Sequence, residues 1–296
     1  MDNSNLQMPP QQPQQAQPNP LQAHFRQAKI SLTLPSGGKW WGDGALNLPP
    51  NGEIPVYAMT AKDEIKLRSP DALINGTALV DVIQSCCPNI IDAWQMPSVD
   101  TDAILIAIRI ASFGDQMDIT STCPKCEEES TFGISLGTKL AEIHVPNYDD
   151  IILHDGLQIK LIPQQYYNVN RLSQVRFQEN RIAMLLVDAE MPEEQKGKEL
   201  QDSFQRIIDL GIENATESTE YIVLEDGTKV YSKQHIQEYY SNADSRALKS
   251  VQDKLEKFLE ESRANPLKLK CQHCENEYQS QLEFDYTAFF GTASSS

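Results

Sequence analysis

Two short cysteine pairs constrain this chain more than any other feature: Cys123-Pro124-Lys125-Cys126 and Cys271-Gln272-His273-Cys274. Each follows strand-like residues, Met117-Asp118-Ile119-Thr120 in one case and Leu267-Lys268-Leu269-Lys270 in the other. Each is followed by spaced apolar positions: Phe132, Ile134 and Leu136 after the first, Tyr278, Leu282 and Phe284 after the second. Strand, Cys-x-x-Cys turn, strand, used twice, is the pattern of a zinc ribbon, in which two knuckles each give two thiolates to one tetrahedral ion. Cys123, Cys126, Cys271 and Cys274 are therefore the expected ligands of one structural zinc per chain. Knuckles are usually separated by about 15–20 residues. Here residues 127–270 lie between them, so a shared ion would pin together the ends of a large insertion. His273 sits inside the second knuckle and is not needed as a ligand.

Two other readings of the pairs stay open. A thiol oxidoreductase would use one Cys-x-x-Cys at a helix N-terminus, where the thiol pKa falls. Pro124 suits that motif. Glu127-Glu128-Glu129 would raise a nearby thiol, and the residues that follow look like strand. The plainer alternative is four unbound surface thiols.

With 296 residues the chain is long enough for one large or two ordinary domains. Its net charge of −17 is spread along the sequence, and such a chain is repelled by nucleic-acid phosphate. An acidic zinc ribbon associated with nucleic acid is thus the weaker functional alternative, and no nucleic-acid partner is expected. Reduced, metal-binding cysteines suit assembly in a cytoplasm. The first residues lack a basic-plus-apolar signal pattern, and no apolar run approaches a membrane span, so no membrane partner is expected.

Residues 1–29 are rich in Gln, Pro and Asn and are expected to form a disordered arm. A first strand is expected from Ile30, where Ile30, Leu32 and Leu34 alternate with polar residues. Leu34-Pro35-Ser36-Gly37-Gly38-Lys39-Trp40-Trp41 reads as a tight loop carrying two tryptophans. Trp40 and Trp41 either plug the core or anchor a partner, since tryptophan is enriched at interface hot spots. A strand is expected over 52–60, with Thr60 capping a short helix and another helix starting at Ser69-Pro70-Asp71. Leu79, Val82 and Ile83 line a further helix that ends in Cys86-Cys87, read as buried thiols. Asp100-Thr101-Asp102 opens a helix apolar on all sides from Ala103 to Ile110 except for Arg109, so it should be buried, with Arg109 in an ion pair.

Taken in order, Leu34-Pro35-Ser36-Gly37-Gly38-Lys39, Met59-Thr60-Ala61-Lys62-Asp63-Glu64, the Asn75-Gly76 turn and the Asp100–Gly114 helix running into Cys-Pro-x-Cys form a recognisable series. This order resembles the baseplate hub assembly protein family of T-even-like contractile-tailed bacteriophages. The resemblance covers about 34–137, and the returning Cys-x-x-Cys fits it. It implies a structural or assembly protein of the tail baseplate, located in the virion and bound to other baseplate and tail proteins, with no catalysis.

The intervening segment reads as mainly helical. One helix is expected over Tyr166–Val187, lined by Leu172, Val175, Ile182, Leu185 and Leu186. Another starts at Pro192-Glu193-Glu194, carries Leu200, Phe204, Ile207 and Ile208, and should stop at Gly211. Asp226-Gly227 marks a hairpin between Tyr221–Leu224 and Lys229–Tyr231. Ser232 caps a short helix, and Ala247, Leu248, Val251, Leu255, Phe258 and Leu259 line an amphipathic one whose stripe is expected to pack inward. The expected fold is α+β: a small sheet with a split zinc ribbon, packed helices and a mostly helical inserted subdomain. The expected divisions are an arm (1–29), a core domain with the first knuckle (30–149), the insertion (150–265) and a second knuckle closing the core domain (266–296). The five histidines are scattered, and no nucleophile elbow, His-Glu-x-x-His or nucleotide loop is present, so an enzyme is not expected.

Overall fold

A computed structural model describes residues 19–69, 74–188, 193–262, 264–280 and 289–290. The expected helix start at Pro70-Asp71, Pro192, and Leu282 and Phe284 fall outside these residues, as do the side chains of Leu185 and Leu186.

Strand β1 (Ala28–Thr33) pairs antiparallel with β2 (Glu53–Tyr57), setting Leu32 opposite Ile54 and Ile30 opposite Val56. Order begins before the expected Ile30. A 3-10 turn spans Pro20–His24, and Arg26 donates to the carbonyls of Ala58 and Ser85 (both 2.6 Å). Helix α1 (Ala61–Lys66) starts with a full capping box: Thr60 Oγ1 accepts from the Asp63 N–H, and the Asp63 carboxylate accepts from the Thr60 N–H. Helix α2 (Thr77–Cys86) starts after Gly76, whose φ of 78° suits glycine, and Cys86 and Cys87 are fully buried as expected.

Helix α3 (Ser98–Phe113) is the axis of the first core. Ala103 through Ile108 are all 0% exposed, which is why the stretch is apolar on every side. Around it pack Leu32, Ile54, Val56, Leu79, Ile83 and Leu136. Leu267, Leu269, Phe289 and Phe290 join the same cluster from the far end of the chain. The expected ion pair at Arg109 is not found among the described residues. Its Nε donates to the Phe289 carbonyl (2.9 Å) and its guanidinium lies 4.5 Å from the centre of the Phe113 ring. Burial lowers its pKa. A carbonyl and an aromatic face thus take the place of a carboxylate.

After Gly114, β3 (Gln116–Thr122) and β4 (Glu129–Ser135) form a ribbon, followed by α4 (Leu136–Glu142). Strands β5 (Ile151–His154), β6 (Leu157–Leu161), β7 (Thr219–Val223) and β8 (Lys229–Val230) form an antiparallel sheet in that order. The segment between the knuckles thus carries a second hairpin, β5–β6, beside its helices and the expected β7–β8 pair. The β5–β6 hairpin turns at Asp155-Gly156, the same signal that marked β7–β8. Helices α5 (Tyr166–Asp188) and α6 (Glu193–Ser218) leave this sheet between β6 and β7 as a long hairpin. Helix α6 runs through the expected stop at Gly211, because α8 crosses it there: a Cβ on Gly211 would lie 2.8 Å from Gln252 Nε2. Glycine serves close approach rather than termination. Helices α7 (Lys233–Asn242) and α8 (Ser245–Ser262) follow, and α8 buries Ala247, Val251 and Phe258. With Tyr148, Ile159, Leu161, Ala215, Ile222, Ile236 and Tyr240, Val251 and Phe258 form a second apolar core. The chain ends in a ribbon of β9 (Leu267–Lys270) and β10 (Glu277–Ser280).

The mixture of helices and small sheets agrees with the α+β class. Among the described residues, no helix is long and apolar enough to cross a membrane.

Candidate metal centre

The two Cys-x-x-Cys turns have the same local construction. In the first, the Glu127 N–H donates to the Cys123 carbonyl (2.9 Å) and the Cys123 N–H to the Glu128 carbonyl (3.0 Å). In the second, the Glu275 N–H donates to the Cys271 carbonyl (3.1 Å) and the Cys271 N–H to the Asn276 carbonyl (2.9 Å). Glu127 and Glu275 both adopt left-handed backbone, with φ of 61° and 56°. In each turn the N–H two residues after the first cysteine, Lys125 or His273, points at its sulfur. The turns bend so that both sulfurs of a pair face the same way.

Tertiary packing sets the two turns against each other. Gln272 Nε2 donates to the Thr131 carbonyl on β4 (3.0 Å), and the Tyr278 hydroxyl reaches the Ser121 carbonyl on β3 (3.5 Å). The four sulfurs converge: Cys123 to Cys274 at 3.7 Å and Cys126 to Cys271 at 3.6 Å, with all four within 4.8 Å of one another. These separations exceed the ~2.05 Å of a disulfide, and all four cysteines are free thiols. A tetrahedral zinc with ~2.3 Å arms has sulfur–sulfur edges of about 3.8 Å. The donor set fits that ion in number, softness and spacing. Cys123 and Cys271 are buried, whereas Cys126 and Cys274 are partly open.

The electrostatics also ask for a cation. Burial pushes the Cys123 thiol up, but the N–H groups of Lys125 and Cys126 outweigh it and bring the group down to about 6. At Cys126 a backbone hydrogen bond favours the thiolate, but burial and the three neighbouring thiols push the group up to about 12. Four thiols this close cannot all ionise without a positive charge among them. Glu127, Glu128 and Glu129 are exposed around the turn, a solvated acidic rim.

The intervening segment returns to the ribbons at Asn265, just before β9. Lys139 Nζ on α4 donates to Glu142 Oε2 (2.8 Å) and to the Asn265 carbonyl (3.0 Å), and the Asn265 N–H donates to the same Glu142 oxygen. This staple, at the ends of β4 and β9 away from the cysteines, was not legible in the sequence, because Lys139 and Asn265 are remote along the chain.

Trp40 and Trp41 are both half buried, and they part company. Trp40, at φ 63°, packs at a tilt against Tyr148 (5.5 Å between centres) in the second core, while Trp41 packs on the first. The Trp41 Nε1–H donates to Asp100 Oδ2 (2.9 Å), and Ser36 donates to the same carboxylate through its N–H (2.8 Å) and hydroxyl (2.5 Å). The dipeptide therefore bridges the two cores, as a plug would. Trp40→Ala is expected to destabilise the protein toward the lower end of the ~3–5 kcal/mol of a buried tryptophan, because the ring is not fully buried. A thermal melt indistinguishable from wild type would refute that bridging role.

A second cluster, His154, Asp155 and Asp244, also converges. Its Asp244 carboxylate already accepts the Arg246 and Ala247 N–H groups at the start of α8 and pairs with Arg246. The group ties the β5–β6 turn to α8.

The model of one protein family, described as T4 bacteriophage base plate protein, matches residues 27–291 and so takes in both knuckles and everything between them. The chain belongs to this family. A member of it is a structural component of a phage tail baseplate, a part of the virion that associates with other tail proteins. Comparison of this baseplate protein with curated proteins and with solved structures gives no match.

Proposed function

We propose that this baseplate protein is a structural and assembly component of the hub region, built around a four-cysteine zinc ribbon, and that it works by binding other baseplate proteins. The family match over 27–291 carries the reading. The order of motifs over 34–137 supports the hub assignment. The zinc is supported by four sulfurs within 4.8 Å of one another, two pairs of them at 3.6 and 3.7 Å, near the edge of a tetrahedral site. Four thiolates fill a tetrahedral ion and leave no position for a substrate water, so the metal is structural rather than catalytic. The acidic surface argues against a nucleic-acid partner.

The same reading divides the chain into an arm that gives way to β1 at Ala28, a core domain that continues to 149 and resumes over 266–296, and an insertion (150–265). Two observations support the division. Leu267, Leu269 and Phe289 pack with α3, and the second core draws most of its residues from the insertion. Trp40 and Trp41 anchor the two parts to each other, and their exposed edges are the portion left for a partner.

A phage lacking this protein is expected to fill and mature its heads normally and to stall in baseplate assembly, as seen by electron microscopy of lysates. Contractile tails of normal structure and number from such a mutant would reject the assembly role.

A further inference from the structure

The four cysteines differ in access. Cys123 and Cys271, the first of each turn, are 1% exposed, while Cys126 and Cys274, the second of each, are partly open. Across the gap between the turns, unlike members meet. The open Cys126 lies 3.6 Å from the buried Cys271, and the open Cys274 lies 3.7 Å from the buried Cys123. Each sulfur that a solute can reach thus touches a shielded sulfur of the opposite turn. That is the arrangement of an attacked cysteine beside a resolving one. A part of the virion meets such chemistry, because a phage tail is built inside a reducing cytoplasm and then released to oxidising surroundings.

We propose that the cluster is a redox lock: a hydroperoxide converts it into two cross-turn disulfides, Cys126–Cys271 and Cys274–Cys123, which hold the two ribbons together when the metal is gone. Metal ligation keeps all four sulfurs deprotonated, so access decides which reacts first. The Cys126 thiolate attacks hydrogen peroxide, giving a sulfenic acid and hydroxide. The Cys271 thiolate then attacks that sulfur, forming the S–S bond and expelling a second hydroxide. Cys274 and Cys123 repeat the sequence with another peroxide. Four thiolates and two peroxides thereby give two disulfides and four hydroxides, and the zinc ion is released. Sulfurs in a disulfide are ~2.05 Å apart, so each pair must close by about 1.6 Å, shared between the turns. Tertiary structure imposes this pairing. In an unfolded chain the loop within a Cys-x-x-Cys closes at lower entropy cost than one spanning 127–270. In the folded chain, Gln272 on the Thr131 carbonyl and Tyr278 on the Ser121 carbonyl hold the turns face to face. Linking β3–β4 to β9–β10 covalently replaces the joint that the metal makes. The order of attack rests on the zinc reading, whereas the connectivity rests on the sulfur positions alone.

Peptide mapping tests this. Full-length protein, purified with its metal, is oxidised with hydrogen peroxide, alkylated, digested without reduction and analysed by mass spectrometry, beside a sample oxidised in guanidinium chloride with a chelator. Trypsin cuts after Lys125 and separates Cys123 from Cys126. Native oxidation is expected to join both fragments to the peptide carrying Cys271 and Cys274, with fragmentation placing Cys126 on Cys271. The fully buried Cys86 and Cys87 should remain thiols. The denatured sample should give Cys123–Cys126 and Cys271–Cys274. The oxidised native protein, though metal-free, should melt within about 5 °C of the untreated protein. Unreacted thiols, sulfinic acids or within-turn disulfides in the native sample would overturn the proposal, as would a larger drop in melting temperature. Cross-turn disulfides in a protein that held no zinc would sink the zinc reading and leave the connectivity standing. Zinc release with within-turn disulfides would do the reverse.

Discussion

Replacing Cys271 by Ser is expected to cost this protein as much stability as replacing Cys123, and replacing both should cost little more than either alone. The reason lies in the geometry. The four sulfurs come from two turns remote in sequence, yet lie within 4.8 Å of one another. Losing any one empties the same site, so the changes are coupled rather than additive. Without the ion, what remains is two separate two-stranded ribbons, β3–β4 and β9–β10, and such ribbons are marginal on their own in water. Closing a loop as long as 127–270 carries an entropy cost that grows only logarithmically with length. Zinc binding in finger peptides is worth about 10–16 kcal/mol, which exceeds that cost several-fold. Elemental analysis should find one zinc per chain, and chelation should lower the melting temperature sharply and reversibly. Full thermal stability in a metal-free preparation, or independent additive losses from the two cysteine changes, would defeat the single-site reading.

The second large effect is expected at Asp100. This carboxyl is 0% exposed, and among the described residues no cation pairs with it. It sits in the first turn of α3, where the helix dipole favours an anion, and accepts three hydrogen bonds from Ser36 and Trp41. Asp100→Ala would orphan all three buried donors and should cost about 3–5 kcal/mol, the range for breaking a buried charged network. Asp100→Asn keeps the shape but offers one acceptor oxygen in place of two, and should cost about 1–3 kcal/mol. The pH dependence separates charge from packing. Burial raises the folded pKa above 3.8 more than the hydrogen bonds from Ser36 and Trp41 lower it. The folded state therefore binds the proton more tightly than the unfolded chain. That contribution is fully present below about 3.8 and is lost as pH rises through the folded pKa. The stability gap between wild type and Asp100→Asn should widen as pH falls from neutral toward 3.8. A gap constant with pH in chemical denaturation would show that Asp100 is not held in this way.

The unpaired Asp100 and the carbonyl-bound Arg109 share a lesson about buried charge in this chain. Both were visible in the sequence as charged residues in an apolar helix. Neither partner was, because Ser36, Trp41 and Phe289 come from remote segments. The stripe of α6, which is exposed, belongs with them. Its period was plain, with Leu200, Phe204, Ile207 and Ile208 at helical spacing. Its direction was not, because the buried Glu179–Arg206 pair on the inner side decides which face α5 covers.

What the sequence alone determined is everything set within a few residues. The two Cys-x-x-Cys turns, the Thr60 cap, the apolar core helix ending at Gly114 and the Asp226-Gly227 hairpin all follow from side-chain period, capping and backbone preference. The tertiary structure alone decided that the two turns face each other with their four sulfurs within 4.8 Å, that Trp40 and Trp41 divide between two cores, and that Gly211 serves as a crossing point rather than a stop. Local chemistry fixes what a segment can become. Which segments meet depends on how two cores share the apolar surface of the whole chain, and no short window of sequence contains that information.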